Sequence, residues 1–133
     1  MKVLDANFLI DYLKGDEAVK EFYEANGDES EQWVVPVPAY AEVLVGEGNL
    51  PAGDVEGARA DLAWTEKHAV DEHTAVLAGE IADEIGPEGP FLDGVDAIVA
   101  AVGRELDAPV VSTDGDLTHD ETKKVVDTED YRN

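Results

Sequence analysis

Four carboxylates stand where a surface acid would be out of place, and together they could hold a divalent cation. Asp5 ends the apolar run Val3-Leu4, three residues before a second run, Phe8-Leu9-Ile10. Glu42 is the only charged residue between Trp33 and Gly46. Asp96 opens the stretch Ala97-Ile98-Val99-Ala100-Ala101-Val102, and Asp114 follows Val110-Val111. An ionised carboxylate against apolar surface is costly unless paired or metal-bound. Pairing partners are scarce, with nine Lys and Arg against 32 Asp and Glu. Converging oxygens without His or Cys suit a hard cation, Mg²⁺ or Mn²⁺. Four carboxylates could hold two ions, an arrangement suited to in-line phosphodiester hydrolysis.

Each acid also has a structural reading. Asp5 can cap a helix, and so can Asn7. Glu42 can join an ion pair. Asp93 reads as the N-cap of the helix that carries Asp96, with Asp96 itself at the helix N-terminus. Asp114 and Asp116 both suit turn chemistry around Gly115. The case for a site rests on four acids recurring at strand ends or on apolar helices.

The elements that must position them follow from the pattern of apolar runs and breakers. Residues 2–5 read as a strand, 6–14 as a helix ended by Gly15, and 16–26 as a second helix with Val19, Phe22 and Tyr23 at helical spacing. Trp33-Val34-Val35 reads as a strand closed by Pro36. A helix with Pro38 in its first turn follows, ending at Gly46, Gly48 and Pro51. A fourth helix is expected over 55–67, with Asp54 as N-cap, and a short extended segment over 68–70. Residues 74–85 read as a helix with Val76, Leu77, Ile81 and Ile85 inward. Gly86-Pro87-Glu88-Gly89-Pro90 is a loop. A helix from Asp93 to about Leu106 and a strand over 108–112 come next, then Val125-Val126 as an edge strand and 127–133 as a loose acidic tail. Short strands alternating with helices imply an α/β fold with a mainly parallel sheet and right-handed crossovers, in one domain over 1–133.

Bulk properties narrow the class. The sequence has no cysteine, which excludes disulfides and thiolate chemistry, and no apolar run long enough to span a membrane. The N-terminus lacks a signal pattern, so a cytoplasmic protein is expected. The net charge of −23 is spread along the chain. Self-repulsion of that size opposes compaction, and a Debye length of about 3 Å at molar salt screens it. A salt-accumulating host is the expectation.

Four motifs in order then carry a resemblance. These are Val3-Leu4-Asp5-Ala6-Asn7-Phe8-Leu9-Ile10-Asp11, Pro38-Ala39-Tyr40-Ala41-Glu42-Val43, Leu92-Asp93-Gly94-Val95-Asp96-Ala97-Ile98-Val99-Ala100, and Val110-Val111-Ser112-Thr113-Asp114-Gly115-Asp116. The sequence resembles the PIN domain over about residues 2–126, and within it the VapC-type toxins of toxin–antitoxin pairs, here from a halophilic archaeon. The resemblance implies a three-layer α/β/α fold and a Mg²⁺- or Mn²⁺-dependent endoribonuclease. It implies Asp5, Glu42, Asp96 and Asp114 as the acidic set, Asp5 and Asp96 as direct ligands, and Asn7, Thr113 and Asp116 in support. It also implies RNA as substrate, an antitoxin lying over the early helices, and a homodimer. Leu117 departs from the family pattern, in which an aromatic residue often follows the second aspartate. The lack of a basic surface is the other departure. A PIN nuclease of RNA processing without an antitoxin is the alternative. A receiver-like phosphoacceptor domain is a further one, disfavoured because no lysine follows the strand Val110-Val111.

Overall fold

The computed structural model describes residues 1–132. Five parallel strands form one sheet: β1 (Lys2–Leu4), β2 (Trp33–Pro36), β3 (Glu66–His68), β4 (Val110–Ser112) and β5 (Thr128–Asp130), in the order β3-β2-β1-β4-β5. Seven helices connect them: α1 (Ala6–Leu13), α2 (Glu17–Asn26), α3 (Val37–Asn49), α4 (Val55–Asp61), α5 (Glu72–Ile85), α6 (Gly94–Leu106) and α7 (Asp120–Lys123). Right-handed crossovers put α1–α4 on one face and α5–α7 on the other, so the expected layered α/β architecture is present.

β1 lies at the centre, and the chain runs outward from it in both directions. Its neighbours β2 and β4 are reached by different crossovers, which makes its carboxyl end a switch point where α/β sheets open a crevice. Val3, Leu4, Val35, Val110 and Val111 are fully buried. Strands covered on both faces read as continuous apolar runs, which is why β1, β2 and β4 are visible in the sequence. The apolar face of α6 (Val99, Ala100, Val102, Gly103) is also buried and packs on β1, β2 and β4. Gly103 is required there, because a Cβ would stand 2.7 Å from Val110 Cγ2.

Four expectations need correction. First, α3 continues through Gly46 and Gly48 to Asn49. Glycine costs about 1 kcal/mol in a helix without forbidding it, and the helix stops only before Pro51. Second, the helix expected over 55–67 ends at Asp61, and Lys67 lies in β3. Thr65 Oγ1 and Lys67 Nζ both donate to the Leu62 carbonyl at 2.7 Å, so side chains satisfy the freed backbone of the helix end. Third, Val76 is 55% exposed. The inward face of α5 is Thr74, Ala78, Ile81 and Ile85, with Leu77 half-buried.

The fourth correction concerns the C-terminus. Val125 and Val126 form a turn whose amides both donate to the Thr122 carbonyl at 2.9 Å. The edge strand is instead the polar segment Thr128–Asp130. The expected loose tail is docked as far as Arg132, while Asn133 lies outside the described residues. Tyr131 is buried against Phe8, with ring centroids 5.1 Å apart, and its hydroxyl donates to Asp11 Oδ2 at 2.5 Å. Arg132 donates to Asp11 at 2.8 Å and Asp16 at 2.9 Å. Asp11, which its sequence position suggests is surface charge, therefore ties β5 to α1.

Candidate functional site

Asp5 sits one residue past β1. Its amide donates to the Val111 carbonyl at 3.1 Å, continuing the ladder to β4. Its side chain accepts from the Ala6 amide at 2.8 Å, so it does cap α1, and from Ser112 Oγ at 2.7 Å. Ser112 is fully buried and has a single proton. With that proton given to Asp5, its oxygen accepts from Asn7 Nδ2 at 3.3 Å and from the Asp114 amide at 2.9 Å. One hydroxyl thus joins the ends of β1 and β4 to Asp5, Asn7 and Asp114.

Asp114 Oδ1 accepts from the amides of Asp116 at 2.8 Å and Leu117 at 3.1 Å. Asp116 enters through its backbone, and its side chain is exposed. Leu117 is fully buried, so this departure from the family pattern fills the core. Thr113 hydrogen-bonds the Tyr131 side chain. Asp93 caps α6 by accepting from the Asp96 amide at 2.8 Å.

The carboxylates act on one another. Asp96 is pushed up to about 7, first by desolvation and then by Asp5, Asp114, Asp93 and Glu42. Asp5 is raised by its burial, against the Ser112 and Ala6 hydrogen bonds, with Asp114 and Asp93 adding to the rise. Glu42 is raised by partial loss of solvent and then by Asp5 and Asp93. The fold therefore brings Asp5, Glu42, Asp96 and Asp114 within electrostatic reach of each other. Glu42 is exposed as a residue, so the premise that it is buried on an apolar helix does not hold; its proximity to Asp5 and Asp93 does.

Sequence reasoning passed over two contributors. Asp93 is both the α6 cap and a member of the repulsive group. Ser112 was visible only as a polar residue ending an apolar strand. Among the described residues, the side-chain cations that form ion pairs do so elsewhere: Lys2 with Glu129, Arg59 with Glu56, Arg104 with Glu84, Lys124 with Glu121, and Arg132 with Asp11 and Asp16.

An all-oxygen group without a positive partner fits a hard divalent cation. Among the described residues, no group of three or more His, Asp or Glu side chains is placed to hold a metal ion. Mg²⁺ needs only one or two carboxylates and keeps several waters, so an open arrangement is compatible with it. Two of the three histidines have structural partners: His119 Nδ1 accepts from the Glu121 amide at 3.0 Å, and His68 Nε2 lies 3.8 Å from Glu105.

Ile10, Leu13, Lys14, Val43, Leu50 and Ala58 line part of a mainly apolar groove of ≈ 480 Å³ between α1, α3 and α4. No helix among the described residues is long and apolar enough to cross a membrane.

Comparison with known proteins agrees with this architecture. No curated protein matches by sequence. Among solved structures, FitAcB from Neisseria gonorrhoeae matches with a TM-score of 0.79 at 18% identity, over 99% of each chain. VapBC2 from Rickettsia felis, bound to a DNA fragment from its promoter, matches with a TM-score of 0.77 at 15% identity, over 97% of each chain. A toxin–antitoxin complex from Klebsiella pneumoniae matches with a TM-score of 0.74 at 20% identity, over 90% of this chain and 92% of that one. At these identities the likeness establishes the fold, and the PIN-domain family model matches residues 2–123. With Ser112 at the end of β4, where a phosphoacceptor domain would need a lysine close by, the fold, the acidic group and that match agree: the chain belongs to the PIN-domain family.

Proposed function

We propose that this protein is a Mg²⁺- or Mn²⁺-dependent endoribonuclease, the toxin of a VapBC-type toxin–antitoxin pair. The observation that carries the reading is Asp96, half-buried among four other carboxylates that all oppose its ionisation. A fold gains nothing in stability from such a group, and active sites are where repulsion of this kind is concentrated.

Asp5 and Asp96 would be the direct ligands, with Glu42 and Asp114 completing the negative field. The bound ion supplies water activation and charge stabilisation at a phosphodiester. The protein's own residues fix the geometry. Ser112 holds one oxygen of Asp5, the Ala6 amide holds the other, and Asn7 steadies Ser112. The Asp116 and Leu117 amides orient Asp114, and Asp93 anchors the first turn of α6 on which Asp96 rides.

The antitoxin partner is supported by the neighbouring structure from Klebsiella pneumoniae, which is a toxin–antitoxin complex by its name, and by the likeness to VapBC2. The α1–α3–α4 groove gives an antitoxin segment an apolar seat next to Glu42, since Val43 lines it. A homodimer working in the cytoplasm of a halophilic archaeon completes the reading.

RNA cleavage in molar KCl with Mg²⁺ or Mn²⁺ tests it. Wild type should cleave, EDTA should abolish cleavage, and Asp96→Asn should reduce it by at least about 100-fold, the scale of losing one preorganised electrostatic group. Cleavage that survives both EDTA and the substitution would refute the mechanism.

A further inference from the structure

Phe91 is 94% exposed. Among the described residues it is an exception: Phe8, Phe22, Tyr23, Trp33, Trp64, Tyr12 and Tyr131 all touch another ring, and Tyr40 lies under Lys67 Nζ at 5.0 Å. A phenylalanine left in water forgoes the stabilisation of burying its ring.

The loop that presents it is tied down. Gly86 ends α5 at φ 73°, in the left-handed region that favours glycine, and its carbonyl accepts from the Gly89 amide at 3.3 Å. A Cβ on Gly89 would meet Ile85 Cγ2 and come within 3.0 Å of Glu121 Cβ, so this backbone lies close against α5 and α7. Pro87 and Pro90 restrict the rest. A loop so constrained holds Phe91 outward.

Its position is as informative as its exposure. Phe91 stands two residues before Asp93, the α6 cap that acts on Asp5, Glu42 and Asp96. Two residues of chain span at most about 7 Å, so the backbone of Phe91 stands close to Asp93, and the residue lines a hollow with Ala82, Asp83, Pro87 and Pro90 at the end of α5. That stretch of chain offers phosphate little: Glu88 and Asp93 stand three residues before and two residues after Phe91, and most cations of the chain are paired elsewhere. A nucleobase has a π-face that needs no positive charge, and single-stranded RNA is held by such stacking.

We propose that Phe91 is a substrate-positioning residue on which a base of single-stranded RNA, adjacent to the cleaved phosphodiester, stacks. This rests on the ribonuclease reading above. Stacking is made equally in ground and transition states, so it acts on KM and leaves kcat in place.

The test uses the full chain in molar KCl with Mn²⁺ and a short single-stranded RNA. Phe91→Ala should raise KM about 5- to 150-fold, the range of one base–aromatic stack, with kcat and the thermal midpoint unchanged. Phe91→Trp should keep the wild-type KM, and Phe91→Leu, apolar but without a ring face, should resemble alanine. An abasic nucleotide moved along the RNA should weaken wild type at one position beside the cut and leave Phe91→Ala unaffected there. Wild-type cleavage with an unchanged KM in Phe91→Ala overturns the stacking role and leaves the nuclease reading standing. A change in sedimenting mass in place of a change in KM also overturns it, assigning the ring to contact between copies of the chain. Absence of any metal-dependent cleavage by wild type removes both.

Discussion

At the scale of single residues, the informative quantity is the repulsion on Asp96. Its carboxyl is raised from the ordinary value of 3.8 to about 7. In the folded state the protonated form is therefore favoured. The stability this gives is fully present below the unfolded value and is lost as pH rises through about 7. Without divalent ions, Asp96→Asn should then have a higher thermal midpoint than wild type at pH 8, with the gap closing towards pH 4. Adding Mn²⁺ at pH 8 should raise wild type by mass action and the variant by less. A variant less stable than wild type at pH 8 without ions would make Asp96 a favourable helix-terminal charge instead of a repelled ligand. At sub-saturating Mn²⁺, cleavage should also fall as pH drops, because protons compete with the ion for the carboxylate. The convergence of Asp5, Asp96 and Asp114 was legible because each follows or opens an apolar run. Glu42 was legible for a reason the fold does not uphold, since the residue is exposed. Ser112 carried no such signal, because its role exists only once β4 lies beside β1.

At the scale of elements, the strands covered on both sides announce themselves, and the edges do not. β1, β2 and β4 have apolar runs because each has neighbours on both sides in the sheet and helices on both faces. β3 (Glu66–His68) and β5 (Thr128–Asp130) are edge strands with one paired side, and their sequences are polar. Polar edges discourage pairing with other chains, and the same polarity makes them read as a helix end and a tail. What defines β5 is tertiary: register with β4, the Lys2–Glu129 ion pair at 2.9 Å, and Tyr131 with Arg132 closing on α1. Tyr131→Ala should cost about 3–5 kcal/mol of unfolding free energy, the usual loss for a buried aromatic. Tyr131→Phe should cost about 1 kcal/mol, because Asp11 keeps its bond to Arg132 while losing a hydroxyl donor. Denaturant titration in molar KCl measures both. An alanine variant as stable as wild type would mean that the C-terminal segment is not docked. Since Thr113 touches Tyr131 and neighbours Asp114, Tyr131→Ala should also lower cleavage more than Tyr131→Phe does.

At the scale of the whole molecule, a net charge of −23 on 133 residues has to be reconciled both with a compact fold and with the polyanionic substrate of the proposed function. The ion pairs cannot do it alone: exposed pairs contribute about 0–1 kcal/mol each, and few cations are available to form more. Salt can. Raising ionic strength from 0.1 M to 1 M shortens the Debye length from about 10 Å to about 3 Å, which uncouples most surface carboxylates while leaving hydrogen-bonded groups such as Asp5 and Ser112 in contact. The thermal midpoint should therefore rise as KCl goes from 0.1 to 2 M. Proteins that hold RNA through Lys and Arg lose affinity steeply over such a range, because their binding is driven by counterion release. Under the proposed function the expected sign is opposite: screening removes repulsion between protein and RNA, while a bound ion and Phe91 would hold the substrate by contacts that salt weakens little. Cleavage at fixed Mg²⁺ should rise or stay level with KCl, with circular dichroism reporting the fold at each point. Replacing Glu21, Glu24 and Glu29 with glutamine, all exposed and outside the acidic group, should shift both curves to lower KCl. Activity that falls steadily with KCl while the fold stays intact would mean that the remaining cations grip the phosphates after all, and Lys14, beside the groove next to Glu42, would be the first to replace with alanine.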